Sequence, residues 1–158
     1  MKCFECGKKM VVDRTRKVVA YTMGGLPQVM LRDVEVRRCP NGHEETVVPR
    51  MSDLHAAIAS ALVRKPAPLA PAEIRFLRKR LGYSQADFAK RMGVASESVS
   101  RWETGSVPMK ATAEHLLRLM VVFEAPIPNY STETLAKVTG RPEPAALRFT
   151  HTDAWRAA

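Results

Sequence analysis

An α+β protein of two small domains, an antiparallel β module followed by an all-α bundle, is the fold class that the sequence predicts. Three observations predict it. Cysteine occurs as the pair Cys3-Phe4-Glu5-Cys6 and again at Cys39, short β-branched runs fill the stretch up to Pro49, and from Pro71 onward apolar residues recur at helical spacing between Gly82, Gly93 and Gly105.

The chain has 158 residues, 46% of them hydrophobic and 26% charged, which suits a folded protein rather than a disordered one. A domain of ~50 residues is hard to stabilise by hydrophobic burial alone, so a small first domain needs a staple. No run approaches the ~18 uncharged apolar residues that span a bilayer, and Met1-Lys2-Cys3-Phe4-Glu5 lacks the apolar core of a signal peptide. The expectation is a cytoplasmic protein without membrane contact, associated with the nucleoid when bound to DNA. A formal charge of +9 draws polyanions, nucleic acid first. Three cysteines cannot all pair within one chain, and in a reducing compartment they favour metal binding over disulfides.

In the first segment, residues 1–50, Lys17-Val18-Val19-Ala20-Tyr21, Val29-Met30-Leu31 and Val34-Glu35-Val36 read as strands, with Gly24-Gly25-Leu26-Pro27 as a turn. A helix capped by Ser52 and running to Arg64 follows, with Leu54, Ile58, Ala61 and Leu62 on one face. Lys65-Pro66-Ala67-Pro68-Leu69-Ala70-Pro71 reads as a linker, so residues 51–70 are a helix and bridge. Residues 71–123 form the helical domain. The extension 124–158 carries one helical candidate, Thr132 to Val138, and no further assignment.

Cys3 and Cys6 form a C-x-x-C knuckle whose following Gly7 eases the tight turn. In Cys39-Pro40-Asn41-Gly42-His43 the place of a second cysteine is held by Gly42, and an imidazole comes one residue later. Cys3, Cys6, Cys39 and His43 make a Cys3His set suited to tetrahedral Zn2+, with His55 or water as competitors for the fourth position. Four protein ligands leave no place for an activated water, so the zinc is structural. Glu44 and Glu45 read as a solvated acidic turn or as partners orienting the imidazole.

From Pro71 the first helix buries Ile74, Leu77 and Leu81 and ends at Gly82. Ser84 caps a second, Gln85 to Met92, with Phe88, Ala89 and Met92 inward and Gly93 at its end. Ser96 caps a third, to about Thr104, which turns Val99 and Trp102 inward and leaves Glu97, Ser98, Ser100 and Arg101 to solvent or a groove. A fourth, Lys110 to Phe123, buries Ala113, Leu116, Leu117, Met120 and Val121. A tight turn between two short helices, supported on both sides, is helix-turn-helix geometry. Lys79, Arg80, Lys90, Arg91 and Lys110 read as unranked candidates for phosphate contacts, set against a solvated basic face. No Gly-rich phosphate loop and no catalytic setting for His115 or His151 appears, so the chain is not expected to be an enzyme.

Ile74-Arg75-Phe76-Leu77-Arg78, Ser84-Gln85 and Val99-Ser100-Arg101-Trp102-Glu103-Thr104-Gly105 resemble the Xre/Cro repressor family. By that resemblance Ser96, Glu97 and Arg101 face bases, Gln85 grips a phosphate, and Arg78 pairs with Glu103 inside the domain. An Arg fork reads guanine N7 and O6, and Glu97 can accept from cytosine. Ser98 lies on the same exposed face.

The order of the parts, with Cys3-Phe4-Glu5-Cys6-Gly7, Cys39-Pro40-Asn41-Gly42-His43-Glu44 and the run from Leu69 through Gly105, resembles the MqsA/YgiT antitoxin family, apart from His43. The resemblance implies a zinc-stapled antiparallel β module before an Xre-type helix-turn-helix bundle. It implies a homodimer that represses its own operon at a palindromic double-stranded DNA operator, with half-sites about 34 Å apart or a multiple of that. It also implies that the zinc module holds the toxin of a type II toxin-antitoxin pair. The alternative is a stand-alone zinc-containing Xre-family transcription factor. The dimer surface is expected on the fourth helix rather than on the extension.

Overall fold

The computed structural model describes residues 1–15, 18–124, 127 and 130–158. Its elements are β1 (Val11–Val12), β2 (Val18–Ala20), β3 (Val29–Arg32), β4 (Glu35–Arg38), β5 (Glu44–Val47), α1 (Met51–Arg64), α2 (Pro71–Arg80), α3 (Gln85–Met92), α4 (Ser96–Thr104), α5 (Ala111–Glu124), α6 (Glu133–Ala136), β6 (Leu147–His151) and β7 (Trp155–Ala157). Of the strand expected over Lys17 to Tyr21, Lys17 lies outside the described residues and Tyr21 follows the end of β2.

The strands form two sheets rather than one small antiparallel sheet. β1, β4 and β5 pair antiparallel in that order, and β2, β3, β6 and β7 make a second, mixed sheet. Within it β3 and β6 run parallel, Val29 opposite Leu147 and Arg32 opposite Thr150. Parallel pairing requires a long crossover, and here the crossover contains every helix of the chain's described residues. The change from one sheet to the other comes at Asp33, whose φ of +56° turns the chain between β3 and β4. The extension, unassigned beyond its short helix, therefore ends in strands that close the sheet begun by β2 and β3.

Helix positions follow the sequence reading closely, but two caps do not. α1 starts at Met51 with Arg50 at its N-cap in the left-handed region, and Arg50 Nε meets the Asp53 carboxylate at 2.5 Å, so Ser52 is already inside the helix. α4 is preceded by Ala95, which offers no side-chain cap, and Ser96 is its first residue. Ser84 does cap α3, its Oγ accepting from Asp87 N at 3.1 Å, and Gly93 ends the helix at φ 65°. Pro71 opens α2, where its missing N–H is harmless, and the Glu73 carboxylate accepts from Ala70 N at 2.7 Å.

Buried side chains fall into two clusters. Leu31 of β3, Leu54, Ile58 and Leu62 of α1, Leu77 of α2, Phe88 of α3, Val99 of α4, Leu117 of α5 and Phe149 of β6 share the main core. A second, small cluster holds Cys3, Met10 and Cys39. Among the described residues the mixed sheet thus packs with the helices, while the cysteine-bearing sheet has a small centre of its own. The Pro-rich bridge is packed as well, with Leu69 and Ala70 buried.

The expected stripe on α5 needs correction. Leu117 and Val121 are buried, but Leu116 is 42% exposed, and the side chain that fills the inner face is Arg118, at 0%. Its guanidinium donates to the carbonyls of Val63, Lys65 and Ala67 at 3.1, 2.8 and 2.8 Å and to Glu114 Oε1 at 2.7 Å. A buried cation survives here because it satisfies carbonyl groups freed at the end of α1 and is neutralised one turn away.

The extension is fastened along its length. Thr139 N donates to Pro66 O at 3.0 Å, Ala145 N to the Glu73 carboxylate at 2.6 Å, and the Trp155 indole N–H to Pro49 O at 2.9 Å. No helix among the described residues is long and apolar enough to cross a membrane.

Candidate functional site

Two turns build the cysteine centre. Gly7 N donates to Cys3 O at 2.9 Å and Gly42 N to Cys39 O at 2.9 Å, and both glycines sit at positive φ, 68° and 84°, where a side chain is strained. β1 and β4 are neighbours in one sheet, Val11 opposite Arg38, which sets the second turn beside the first. Cys3, Cys6, Cys39 and His43 then converge, with one ligand atom from each lying within 4.8 Å of the others. The sulfurs of Cys6 and Cys39 are 3.6 Å apart, and His43 Nδ1 is 3.5 Å from both Cys3 Sγ and Cys39 Sγ. These four can hold a metal ion. His55 is elsewhere, its Nε2 2.7 Å from the Tyr21 hydroxyl, so it is no competitor for the fourth position.

The far side of the imidazole is held by a residue the sequence reading passed over. His43 Nε2 lies 3.1 Å from Glu5 Oε2, inside the first knuckle, while Glu44 pairs with Arg38. Glu5 therefore takes the orienting role weighed for Glu44 and Glu45. Its spacing, one residue before Cys6, gives no periodic signal by which to find it.

The electrostatics of the cluster favour a cation. The Cys6 amide, and with it the Glu5 amide and His43, outweighs burial and lowers the Cys3 pKa to about 7. Burial raises Cys39, yet the amides of Asn41 and His43 carry its pKa below the ordinary value. At Cys6 the Lys8 amide lowers the pKa, but burial and the two neighbouring sulfurs prevail and raise it. The Cys3 sulfur chiefly raises the pKa of His43, against burial, with Glu5 assisting. Three thiols this close resist joint ionisation unless a cation sits among them.

The helical surface is organised by one buried carboxylate. Glu103, 3% exposed, accepts from Arg78 Nε at 2.5 Å and Nη2 at 3.0 Å, and from Gln85 Nε2 at 2.9 Å, with Arg75 Nε at 3.5 Å. Burial raises its pKa, but Arg78 and Gln85 as donors and the charges of Arg78 and Arg75 outweigh it, and the net value is below 4.5. The ion pair ties α2 to α4, and the Gln85 amide ties in the start of α3. Gln85, Ser96, Glu97 and Arg101 are exposed and Ser98 is half-buried, whereas Trp102 on the opposite side of α4 is in the core.

An α+β chain with a four-residue cluster able to hold a metal ion and an exposed polar helix face seated by an ion pair is thereby defined. A family model described as the antitoxin component of a bacterial toxin-antitoxin system, MqsA, matches residues 1–124. The chain belongs to that antitoxin family. Comparison with curated proteins and with solved structures finds no match. The family match stops where α5 ends, so β6 and β7 lie outside it.

Proposed function

We propose that the chain is the antitoxin of a type II toxin-antitoxin pair that represses its own operon, binding a palindromic operator as a homodimer through α4. Membership of an antitoxin family carries this reading, and the exposed face of α4 supports it. Arg101 offers a two-pronged donor to guanine, Glu97 accepts from cytosine, and Ser96 and Ser98 lie on the same helix. Gln85, at the start of α3, has one amide donor engaged by Glu103, and we assign it a phosphate contact together with the helix N-terminus.

Zn2+ is the metal that the centre fits. Zinc bonds of about 2.3 Å to sulfur and 2.0–2.1 Å to nitrogen put tetrahedral sulfur pairs about 3.8 Å apart and sulfur–nitrogen pairs about 3.6 Å apart. The observed 3.6 and 3.5 Å fall close to those edges. A bound zinc supplies folding free energy to the small β1-β4-β5 sheet. Cys3, Cys6, Cys39 and His43 would close its coordination shell, and Glu5 fixes the imidazole with Nδ1 facing the sulfurs. A closed shell argues for structure and against catalysis. The cysteine-bearing sheet is the part we assign to toxin binding.

DNA footprinting tests the reading. Protection of an inverted repeat upstream of the chain's own gene, lost in Arg101→Ala with folding intact, is expected. Binding that shows no sequence preference in the parent protein would refute operator recognition.

A further inference from the structure

We propose a phosphoryl-anion site in the cleft between the turn at residues 22–25 and α2, a place the metal centre and the α4 surface do not use. The cleft has a volume of about 440 Å³, which is within the size range of small-ligand pockets. Arg75, Lys79 and Arg80 line one side of it, with His55 on α1 and Thr22 and Gly24 opposite. No carboxylate is among the lining residues. Arg75 is shared with Glu103, at 3.5 Å, whereas no ion pair among the described residues engages Lys79 or Arg80.

The walls are fixed. The Phe76 ring, on the same helix as the cations, meets the His55 ring edge-on at 5.5 Å between centroids, and the Tyr21 hydroxyl holds His55 Nε2 at 2.7 Å. Gly24 is closed down on this aromatic floor, since a Cβ there would lie 3.2 Å from Tyr21 Cε1 and 3.4 Å from Phe76 Cε2. A side chain at residue 24 would crowd these rings, so the close approach of the turn to α2 suits glycine. Burial and the positive charge of Arg80 together lower the His55 pKa, in keeping with a positive field in the cleft. Cations gathered beside an aromatic floor, with Thr22 and the turn also lining the cleft, match a tetrahedral, multiply charged oxyanion better than a flat carboxylate or an apolar ligand.

Such a phosphoryl group has two sources, a small soluble phosphate compound or the backbone of bound DNA. Pyrophosphate is the probe, titrated calorimetrically into the zinc-loaded full chain, and this arm stands whether or not the DNA reading is right. One-to-one binding is expected, weakened about tenfold or more in the double variant Lys79→Gln/Arg80→Gln, which removes two charge-assisted contacts. It should stay within about twofold in Lys137→Gln/Arg141→Gln, which removes the same charge from exposed positions of the extension. Absence of binding, or equal loss in both variants, would overturn the site. The second arm repeats the variants on operator DNA. Competition between pyrophosphate and DNA, with a salt slope reduced by about 0.9 per lost phosphate contact in the first variant only, assigns the group to the DNA backbone. Unchanged DNA binding assigns it to a soluble ligand.

Discussion

Glu103 is the residue on which the helical surface turns, because its carboxylate is buried, charged and shared by donors from α2 and α3. Its pKa is lower in the folded chain than the ordinary 4.5, so the unfolded chain binds the extra proton as the solution is acidified. The stabilisation is fully present above about pH 4.5 and is lost as pH falls through the folded value. In Glu103→Gln that acid-dependent part should vanish, and with Arg78 left without its charge partner the variant should lose about 3–5 kcal/mol at neutral pH, read from urea melts at several pH values. An acid slope that persists unchanged in the variant would place the titration elsewhere. Glu5 makes a second residue-scale case. Glu5→Gln should weaken zinc binding about 10–100-fold in chelator competition while leaving one metal per chain at saturation, since it orients a ligand without being one. The clustering of Cys3, Cys6, Cys39 and His43 was legible from their spacing and the burial of Trp102 from its period. Glu5 and Arg118 were not, because each acquires its partner only when distant segments meet.

At the scale of elements, α2, α3 and α4 were readable because Pro71, Ser84, Gly93 and Gly105 punctuate them, and local capping and steric terms dominate short helices. The caps Arg50 and Ala95 run against propensity, while Leu54 of α1 and Val99 and Trp102 of α4 are buried as their spacing predicts. α5 shows the same override, an apolar count pointing to Leu116 where Arg118 is instead enclosed by α1's final carbonyls. Arg118→Met should thus cost stability, about 3–5 kcal/mol with Glu114 left unpaired, and Glu114→Leu in the same chain should recover much of it. A double-mutant cycle by chemical denaturation measures this. Additive losses would mean that the pair is not coupled. The strands of the extension had no legible pattern at all. Five residues of β6 include only one buried side chain, Phe149, and pairing with β3 spans more than a hundred residues of sequence. Phe149→Ala should cost about 3–5 kcal/mol and expose both β6 and β3 to hydrogen exchange, the second effect being the signature of their ladder.

For the whole molecule, the α+β class and the cysteine-bearing sheet ahead of the helices were visible in the sequence, whereas the way the parts join was not. The bridge expected to separate them is buried at Leu69 and Ala70, and β6 and Trp155 bind the mixed sheet and the end of β5's loop from the far end of the chain. Composition marks a Pro-rich stretch as a linker, but only the long-range contacts decide whether it swings. The extension thus braces residues 1–50 against the helices, and β1 and β5 are the outer strands of the cysteine sheet. Under the proposed function, DNA falls to α4 and the toxin to the cysteine-bearing sheet. Co-expression of the intact chain with each adjacent small reading frame, scored by co-purification and growth, tests this most directly. A stable complex with one toxic neighbour, accompanied by rescue of growth, is the result expected. Toxicity unrelieved by the chain, with no neighbour retained and the operator still bound, would contradict the antitoxin role and leave a stand-alone zinc-containing repressor.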